Sequence, residues 1–110
     1  MADRRPAETA ELRRLRRRID ALDRRIVAML NERATLAREA GMAKTAAGRR
    51  AIRDAERERE VLLRVSMANE GPLPQADLLA LYRRLFVATR ALEARDRDRA
   101  ARDGEDADGR

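Results

Sequence analysis

The chain has 110 residues, and its 26 basic and 20 acidic side chains give a formal charge of +6. Cysteine and histidine are both absent, which excludes disulfides, thiol nucleophiles, Cys/His zinc sites and every catalytic triad that needs an imidazole. Alanine accounts for 22 of the hydrophobic residues, so the larger apolar side chains form only a thin core for a monomer and favour self-association.

The first predicted helix runs from about residue 10 to about residue 45, behind a polar N-terminal arm (residues 1–9) that we expect to be disordered. From Leu12 to Met29 the larger apolar residues of this helix recur at alternating spacings of three and four, the period of an α-helix, and two more follow: Leu12, Leu15, Ile19, Leu22, Ile26, Met29, then Leu30 and Leu36. At ~1.5 Å per residue the helix is roughly 50 Å long, too long to bury itself in a globule of this size. It therefore needs a partner, most simply a second copy of the chain.

Two shorter helices are predicted after a loop at Thr45–Arg50. Asp54 lies where the cap of the second helix belongs. The apolar positions of this helix are Ile52, Ala55, Val61, Leu62, Val65 and Ala68. A Gly-Pro-Leu-Pro sequence at residues 71–74 predicts a turn, and the third helix follows from about Gln75 to about Arg95.

Residues 96–110 contain no larger apolar side chain, so we expect a disordered, charged tail. The predicted domain is residues 10–95, and its fold class is all-α, with one very long N-terminal helix followed by two shorter ones. No apolar run approaches the roughly 20 residues of a membrane span, and no signal peptide opens the chain. We expect a soluble, cytoplasmic protein without a membrane partner.

Polar residues occur where the helical period calls for apolar ones. Arg33 and Lys44, eleven residues apart on the first helix, point the same way in line with its apolar stripe. Glu58 lies on the apolar face of the second helix, and Thr89 and Glu93 extend that of the third. Buried charges are costly unless they are paired or liganded. These residues therefore form an internal salt-bridge network or a pocket for an anionic ligand, unless they are ion pairs on a solvated face.

Arg16 is 17 residues from Arg33, which is about 25 Å along one helix. It therefore cannot join a site at Arg33 within its own subunit. If two long helices pack side by side, Arg16 of one chain could reach the pocket of the other. Such a site would be shared, and the dimer would be obligatory.

Five segments, taken in order, resemble the all-α (type II) chorismate mutases. They are residues 19–26 (Ile-Asp-Ala-Leu-Asp-Arg-Arg-Ile), 31–34 (Asn-Glu-Arg-Ala), 41–44 (Gly-Met-Ala-Lys), 52–60 (Ile-Arg-Asp-Ala-Glu-Arg-Glu-Arg-Glu) and 82–93, which ends Thr-Arg-Ala-Leu-Glu. The resemblance covers about residues 10–95. It implies an intertwined helical homodimer that rearranges chorismate to prephenate in aromatic amino acid biosynthesis, without a cofactor or a metal.

The resemblance implies roles for residues of the first and third helices. Arg33 and the partner subunit's Arg16 would hold the two carboxylates of chorismate, and Lys44 would donate to the ether oxygen. Thr89 stands near a carboxylate, where the family often has serine. Glu93 stands where glutamine is common, so it must be protonated to donate to the ether oxygen. Burial would raise its pKa and Lys44 would lower it.

The second helix would meet the ring of the substrate. By the same resemblance, the main chain at Asp54 and the side chain of Glu58 would hold the ring hydroxyl, with Arg57 beside them. Val61 and Phe86 would be apolar lining. The reaction is an intramolecular [3,3] rearrangement, so fixed cationic donors that select the compact conformer and stabilise developing charge are sufficient. The positive net charge also favours the approach of a dianionic substrate.

Two same-fold relatives stay open as alternatives. One rearranges 4-amino-4-deoxychorismate in antibiotic pathways, and the other eliminates pyruvate from isochorismate. The amino analogue differs from chorismate only at the group that Glu58 would meet, and a carboxylate can accept from an ammonium or from a hydroxyl.

Alternatives of another class are a basic helical nucleic-acid-binding protein and a coiled-coil interaction module. The arginines are interleaved with acids at helical spacing, and both aromatic residues, Tyr82 and Phe86, fall on an apolar stripe, so no stacking platform is available. We therefore expect no nucleic-acid partner. A coiled coil would explain the first helix but not the polar residues on the apolar faces.

Overall fold

The computed structural model describes residues 6–48 and 54–108. These residues form three α-helices, α1 (Ala10–Ala46), α2 (Ala55–Ala68) and α3 (Gln75–Asp108), and no strand occurs within the described ranges. The prediction of an all-α fold is confirmed. The chain divides into two compact units, Met1–Thr35 and Leu36–Arg110.

Helix α1 begins where the sequence predicts, because Thr9 caps it. The Thr9 hydroxyl accepts from the backbone N–H of Leu12 at 3.0 Å, and the Thr9 carbonyl accepts from the N–H of Arg13. Residues 6–9 precede the helix, while residues 1–5 of the predicted arm lie outside the described residues.

The apolar stripe of α1 within the first unit is exposed in the structure. Every residue from Ala10 to Glu32 is exposed. Among the large apolar side chains the exposed fraction runs from 39% at Leu12 to 63% at Met29. A row of exposed apolar side chains at helical spacing is the surface that a second helix buries.

Helix α1 ends in the second unit at Ala46, with Lys44 in its last turn, where a cation interacts favourably with the helix dipole. Gly48 has a φ of +79° and its N–H donates to the Thr45 carbonyl at 3.0 Å. The positive φ is a conformation that favours glycine after a helix end. The loop predicted at Thr45–Arg50 therefore begins later, after Ala46. Residues 49–53, including Ile52, lie outside the described residues.

Asp54 caps α2, as predicted. Its Oδ1 accepts from the backbone N–H of Arg57 at 2.9 Å, and its carbonyl accepts from the N–H of Glu58 at 3.0 Å. The helix ends at Ala68, and the predicted turn follows. There the Asn69 side chain accepts from the N–H of Gly71 and donates to the carbonyl of Leu73.

The core between α2 and α3 is small. Phe86 is the one apolar side chain classed as buried among the described residues, with 6% of its surface exposed. Its ring packs edge-on against Tyr82, with centroids 6.4 Å apart. Around this pair the apolar side chains of both helices are half-buried: Val61, Leu62, Val65, Leu78, Leu79 and Leu85. So small a core contributes little apolar burial to the stability of this unit.

Helix α3 is longer than predicted, because it continues past Arg95 to Asp108. We expected residues 96–110 to be disordered because they lack larger apolar side chains. The structure differs: residues 96–108 are helical, and residues 109–110 lie outside the described residues. Alanine and arginine favour the helix, and arginines alternate with acids at spacings of three and four, so local propensity extends the helix without burial.

Among the described helices, none is long and apolar enough to cross a membrane.

Candidate active site

The end of α1 and the start of α2 are joined by an ion pair. The Lys44 Nζ lies 3.7 Å from the Asp54 Oδ2, and both side chains are half-buried. Asp54 therefore has two roles, since its Oδ1 caps α2 while its Oδ2 faces Lys44. The local requirement for an N-cap thus fixes a carboxylate beside the one lysine of the chain.

A second ion pair joins α2 to α3. The Arg90 Nη1 donates to the Glu58 Oε2 at 2.5 Å. The Arg90 and Glu58 side chains are only 26% and 18% exposed. The two residues line a groove of about 220 Å³ between the helices, together with Leu62 and Phe86. Charge-assisted hydrogen bonds of this kind are short and restrict both side chains.

Glu93 of α3 lies directly against α1 at Gly41. A Cβ atom on Gly41 would lie 3.3 Å from the Glu93 Cγ and 3.5 Å from its Oε1, so the glycine leaves the space that Glu93 occupies. Burial raises the pKa of Glu93 above its ordinary value; Lys44 and Arg97 oppose the rise, while Asp96 and Glu58 add to it. Lys44, Glu58 and Glu93, from three different helices, therefore share one electrostatic neighbourhood.

Arg38 and Asp96 form a further contact between α1 and α3. The Arg38 guanidinium donates through Nε to Oδ2 at 2.9 Å and through Nη2 to Oδ1 at 2.8 Å. These hydrogen bonds lower the pKa of Asp96 below its ordinary value. The contacts of Arg38 with Asp96 and of Gly41 with Glu93 run in opposite order along the two helices, so these stretches of α1 and α3 are antiparallel.

Two further predicted site residues make contacts within their own helices. The half-buried Thr89 donates its hydroxyl hydrogen to the Leu85 carbonyl at 2.9 Å. The exposed Arg57 pairs with Glu60, one turn on, at 3.2 Å. Exposed ion pairs such as the one between Arg57 and Glu60 contribute little to stability and are easily exchanged.

Arg16 and Arg33 belong to the unit Met1–Thr35. The exposed Arg16 pairs with Glu8 at 3.2 Å, and Arg33 is half-buried. The contacts described above thus bring together Lys44, Asp54, Glu58 and Glu93 within the unit Leu36–Arg110, while these two arginines lie in the other unit.

Residues 15–94 match the family model described as chorismate mutase type II. The chain belongs to the type II chorismate mutase family. The resemblance predicted from the sequence is therefore confirmed.

Solved chorismate mutases share the fold of this family member. The structure of chorismate mutase (Form II) from Thermus thermophilus is 33% identical, with a TM-score of 0.72, and the match covers 77% of this chain and 96% of that one. Form I of the same protein is 32% identical with a TM-score of 0.68, over 72% and 98% of the two chains.

The curated relatives of this type II chorismate mutase chain are larger proteins. The bifunctional chorismate mutase/prephenate dehydratase of Stutzerimonas stutzeri is 37% identical over an alignment of 91 residues, and the match covers 79% of this chain and 25% of that protein. The protein of the same description from Aquifex aeolicus is 39% identical over an alignment of 87 residues, and the match covers 76% of this chain and 24% of the relative. The chain thus spans about a quarter of the length of the curated relatives it matches.

Sequence reasoning about this chorismate mutase family member missed the ion-pair partners. Arg90 was not singled out, although it follows Phe86 by four residues and so continues the buried face of α3. Arg38 is also absent from the site residues predicted from the sequence, and Asp96 lies in the segment that we expect to form the tail. The available signal was their spacing: Arg38 precedes Gly41 by three residues, and Asp96 follows Glu93 by three.

Proposed function

We propose that this chain is an isomerase that catalyses the [3,3] rearrangement of chorismate to prephenate, a step of aromatic amino acid biosynthesis. The observation that carries the proposal is the convergence of Lys44, Glu58 and Glu93 from three helices within a type II chorismate mutase fold. The reaction forms one C–C bond and breaks one C–O bond within one molecule, so it needs no nucleophile. The family match favours this function over the nucleic-acid-binding and coiled-coil alternatives.

The cationic side chains would bind the substrate and stabilise its transition state. Arg33 and the partner subunit's Arg16 hold the two carboxylates, since guanidinium groups bind carboxylates bidentately. This grip favours the compact conformer in which the reacting carbons approach each other. Lys44 donates to the ether oxygen, where negative charge develops as the C–O bond breaks. Its 3.7 Å contact with Asp54 is loose enough to yield to a substrate.

The acidic side chains would bind the ring and the ether oxygen. The main chain at Asp54 and the side chain of Glu58 hold the ring hydroxyl, with Arg57 beside them. Glu93 in its protonated form donates a second hydrogen bond to the ether oxygen. The raised pKa of Glu93 supports this role, because the neutral carboxyl is the form that can donate.

Thr89 assists in holding a substrate carboxylate, and Val61 and Phe86 provide apolar lining. Thr89 donates to the carbonyl of Leu85 on its own helix, so rotation of its hydroxyl is enough to redirect this hydrogen bond. Phe86 is the most buried of the three and keeps water from the ring side of the site.

The working form would be a homodimer in which each chain completes the site of the other. The exposed apolar stripe of α1 in the unit Met1–Thr35 supports this arrangement, because a second copy would bury it. The shared site also gives Arg16, far along α1 from Arg33, a carboxylate to bind. A dimer with this division of residues has no complete site in a monomer.

The experiment that tests the proposal is a turnover assay with purified protein, chorismate and 4-amino-4-deoxychorismate, with products identified by mass and chromatography. We expect wild-type protein to form prephenate. Arg33→Ala should lose at least a hundredfold in kcat/KM, and the matched control Arg24→Ala, an exposed arginine of the same helix, should keep it. Equal rates for wild type and Arg33→Ala would identify a contaminating host enzyme and refute the proposal.

A further inference from the structure

We propose that Arg90 is a positioning residue which, by holding and neutralising Glu58, makes the site select a substrate with a neutral ring hydroxyl over one with an ammonium at that position. The inference rests on the proposed function, in which Glu58 meets this ring substituent. It answers the question that the sequence leaves open between chorismate and its 4-amino analogue.

The geometry of the Arg90–Glu58 pair supports this role. The Arg90 guanidinium and the Glu58 carboxylate lie 2.5 Å apart, on two different helices and largely shielded from solvent. By contrast, the carboxylate of Glu60 pairs with arginines of its own helix, and all of these side chains are roughly half-exposed. Removing one partner of a shielded pair leaves the other charge uncompensated, whereas exposed pairs are easily exchanged.

Arg90 is itself anchored in the groove between α2 and α3. Arg90 is one helical turn beyond Phe86, the most buried apolar side chain of the described residues, and both line the groove between α2 and α3. A guanidinium anchored there restricts the rotamers of the long Glu58 side chain. The carboxylate is therefore held in one position before a substrate arrives.

The positive charge of Arg90 acts on any ligand group that binds Glu58. A positive group that binds the same carboxylate lies within roughly 4 to 7 Å of the Arg90 guanidinium. Two like charges at this separation repel each other. The repulsion weakens binding about tenfold when the effective dielectric constant lies between that of a protein surface and that of water. A hydroxyl carries no charge and escapes this penalty, while it still donates a charge-assisted hydrogen bond. The pair therefore favours chorismate over 4-amino-4-deoxychorismate.

The test compares kcat and KM for both substrates in four proteins: wild type, Arg90→Gln, Arg90→Lys and the control Arg84→Gln, an exposed arginine of α3. We expect wild type to prefer chorismate. Arg90→Gln should shift the ratio of the two kcat/KM values about tenfold toward the amino analogue, mainly through KM, because the ring substituent is bound in ground state and transition state alike. Arg90→Lys should restore the preference for chorismate, and Arg84→Gln should leave it unchanged.

The outcomes separate this inference from the function on which it rests. A merely structural role for Arg90 would weaken turnover of both substrates equally, so an unchanged ratio in a folded Arg90→Gln protein, checked by circular dichroism, would overturn the inference. A preference of the wild-type protein for the amino analogue would also overturn the inference, and this result does not depend on whether Arg90→Gln folds. The proposed rearrangement activity would still stand in that case. Failure of wild type to rearrange either substrate would refute the proposed function and this inference with it.

Discussion

Replacing Gly41 by alanine tests whether the close approach of α1 to Glu93 matters for catalysis. In a helix interior alanine is more favourable than glycine by about 1 kcal/mol. The added Cβ would lie 3.3 Å from the Glu93 Cγ and 3.4 Å from its Cδ, so the side chain must move by a few tenths of an ångström. Glu93 can move because these atoms belong to a flexible side chain. We therefore expect stability to be unchanged or raised by up to about 1 kcal/mol.

Activity should respond in the opposite direction. In its proposed role, a displaced Glu93 would no longer donate along the line to the ether oxygen. A misplacement of about 1 Å can cost about a hundredfold in rate, so we expect a shift of a few tenths of an ångström to lower kcat about tenfold. Urea unfolding gives the stability, and initial rates of prephenate formation give kcat.

The matched control is Gly104→Ala, because a Cβ at Gly104 in α3 meets no atom within 4 Å. This variant should gain helix propensity and keep wild-type kcat. If Gly41→Ala also keeps wild-type kcat, the position of Glu93 does not control the reaction, and its assigned role is wrong. A large loss of stability in Gly41→Ala would show instead that Glu93 cannot move aside.

Two further predictions concern ionisation. Because the pKa of Glu93 is raised and only its protonated form donates, activity should fall as pH rises through that pKa, and Glu93→Gln should flatten the profile of kcat against pH; an unchanged profile would exclude this role. The pKa of Asp96 is lowered by its pairing with Arg38, so this pairing stabilises the fold at pH values above the ordinary pKa range of aspartate. The stabilisation is lost as the pH falls through the lowered pKa. Asp96→Asn should therefore reduce the thermal midpoint of unfolding at neutral pH but not in strong acid. The control Asp98→Asn, at an exposed position, should leave the midpoint unchanged at both pH values. Equal losses for Asp96→Asn at both pH values would contradict the stabilising role of its pairing with Arg38.

The helix boundaries that could be predicted from the sequence are those set by local chemistry. Asp54 caps α2 and residues 71–74 form a turn because each signal acts within a few residues of itself. The end of α3 could not be predicted in the same way. The expectation used burial as its criterion, whereas residues 96–108 are helical through propensity and alternating charge.

The candidate site was predictable as a set of faces but not as a set of contacts. Lys44, Glu58 and Glu93 fall on apolar stripes, and helical periodicity alone brings such residues inward. The partners Arg90 and Arg38 were missed because their contacts depend on how far one helix is displaced along another. A period of 3.6 residues gives the direction of a side chain within its own helix but not the register between helices.

The most direct test of a shared chorismate mutase site is a mixing experiment with two variants, Arg16→Ala and Arg33→Ala. Each should be nearly inactive alone, because every site in either homodimer lacks one arginine. Denaturing the two together and refolding them should give dimers of which about half are mixed, and each mixed dimer has one site with both arginines. The account predicts recovery of about a quarter of the wild-type rate of prephenate formation. A refolded mixture no more active than the variants refolded separately would contradict it.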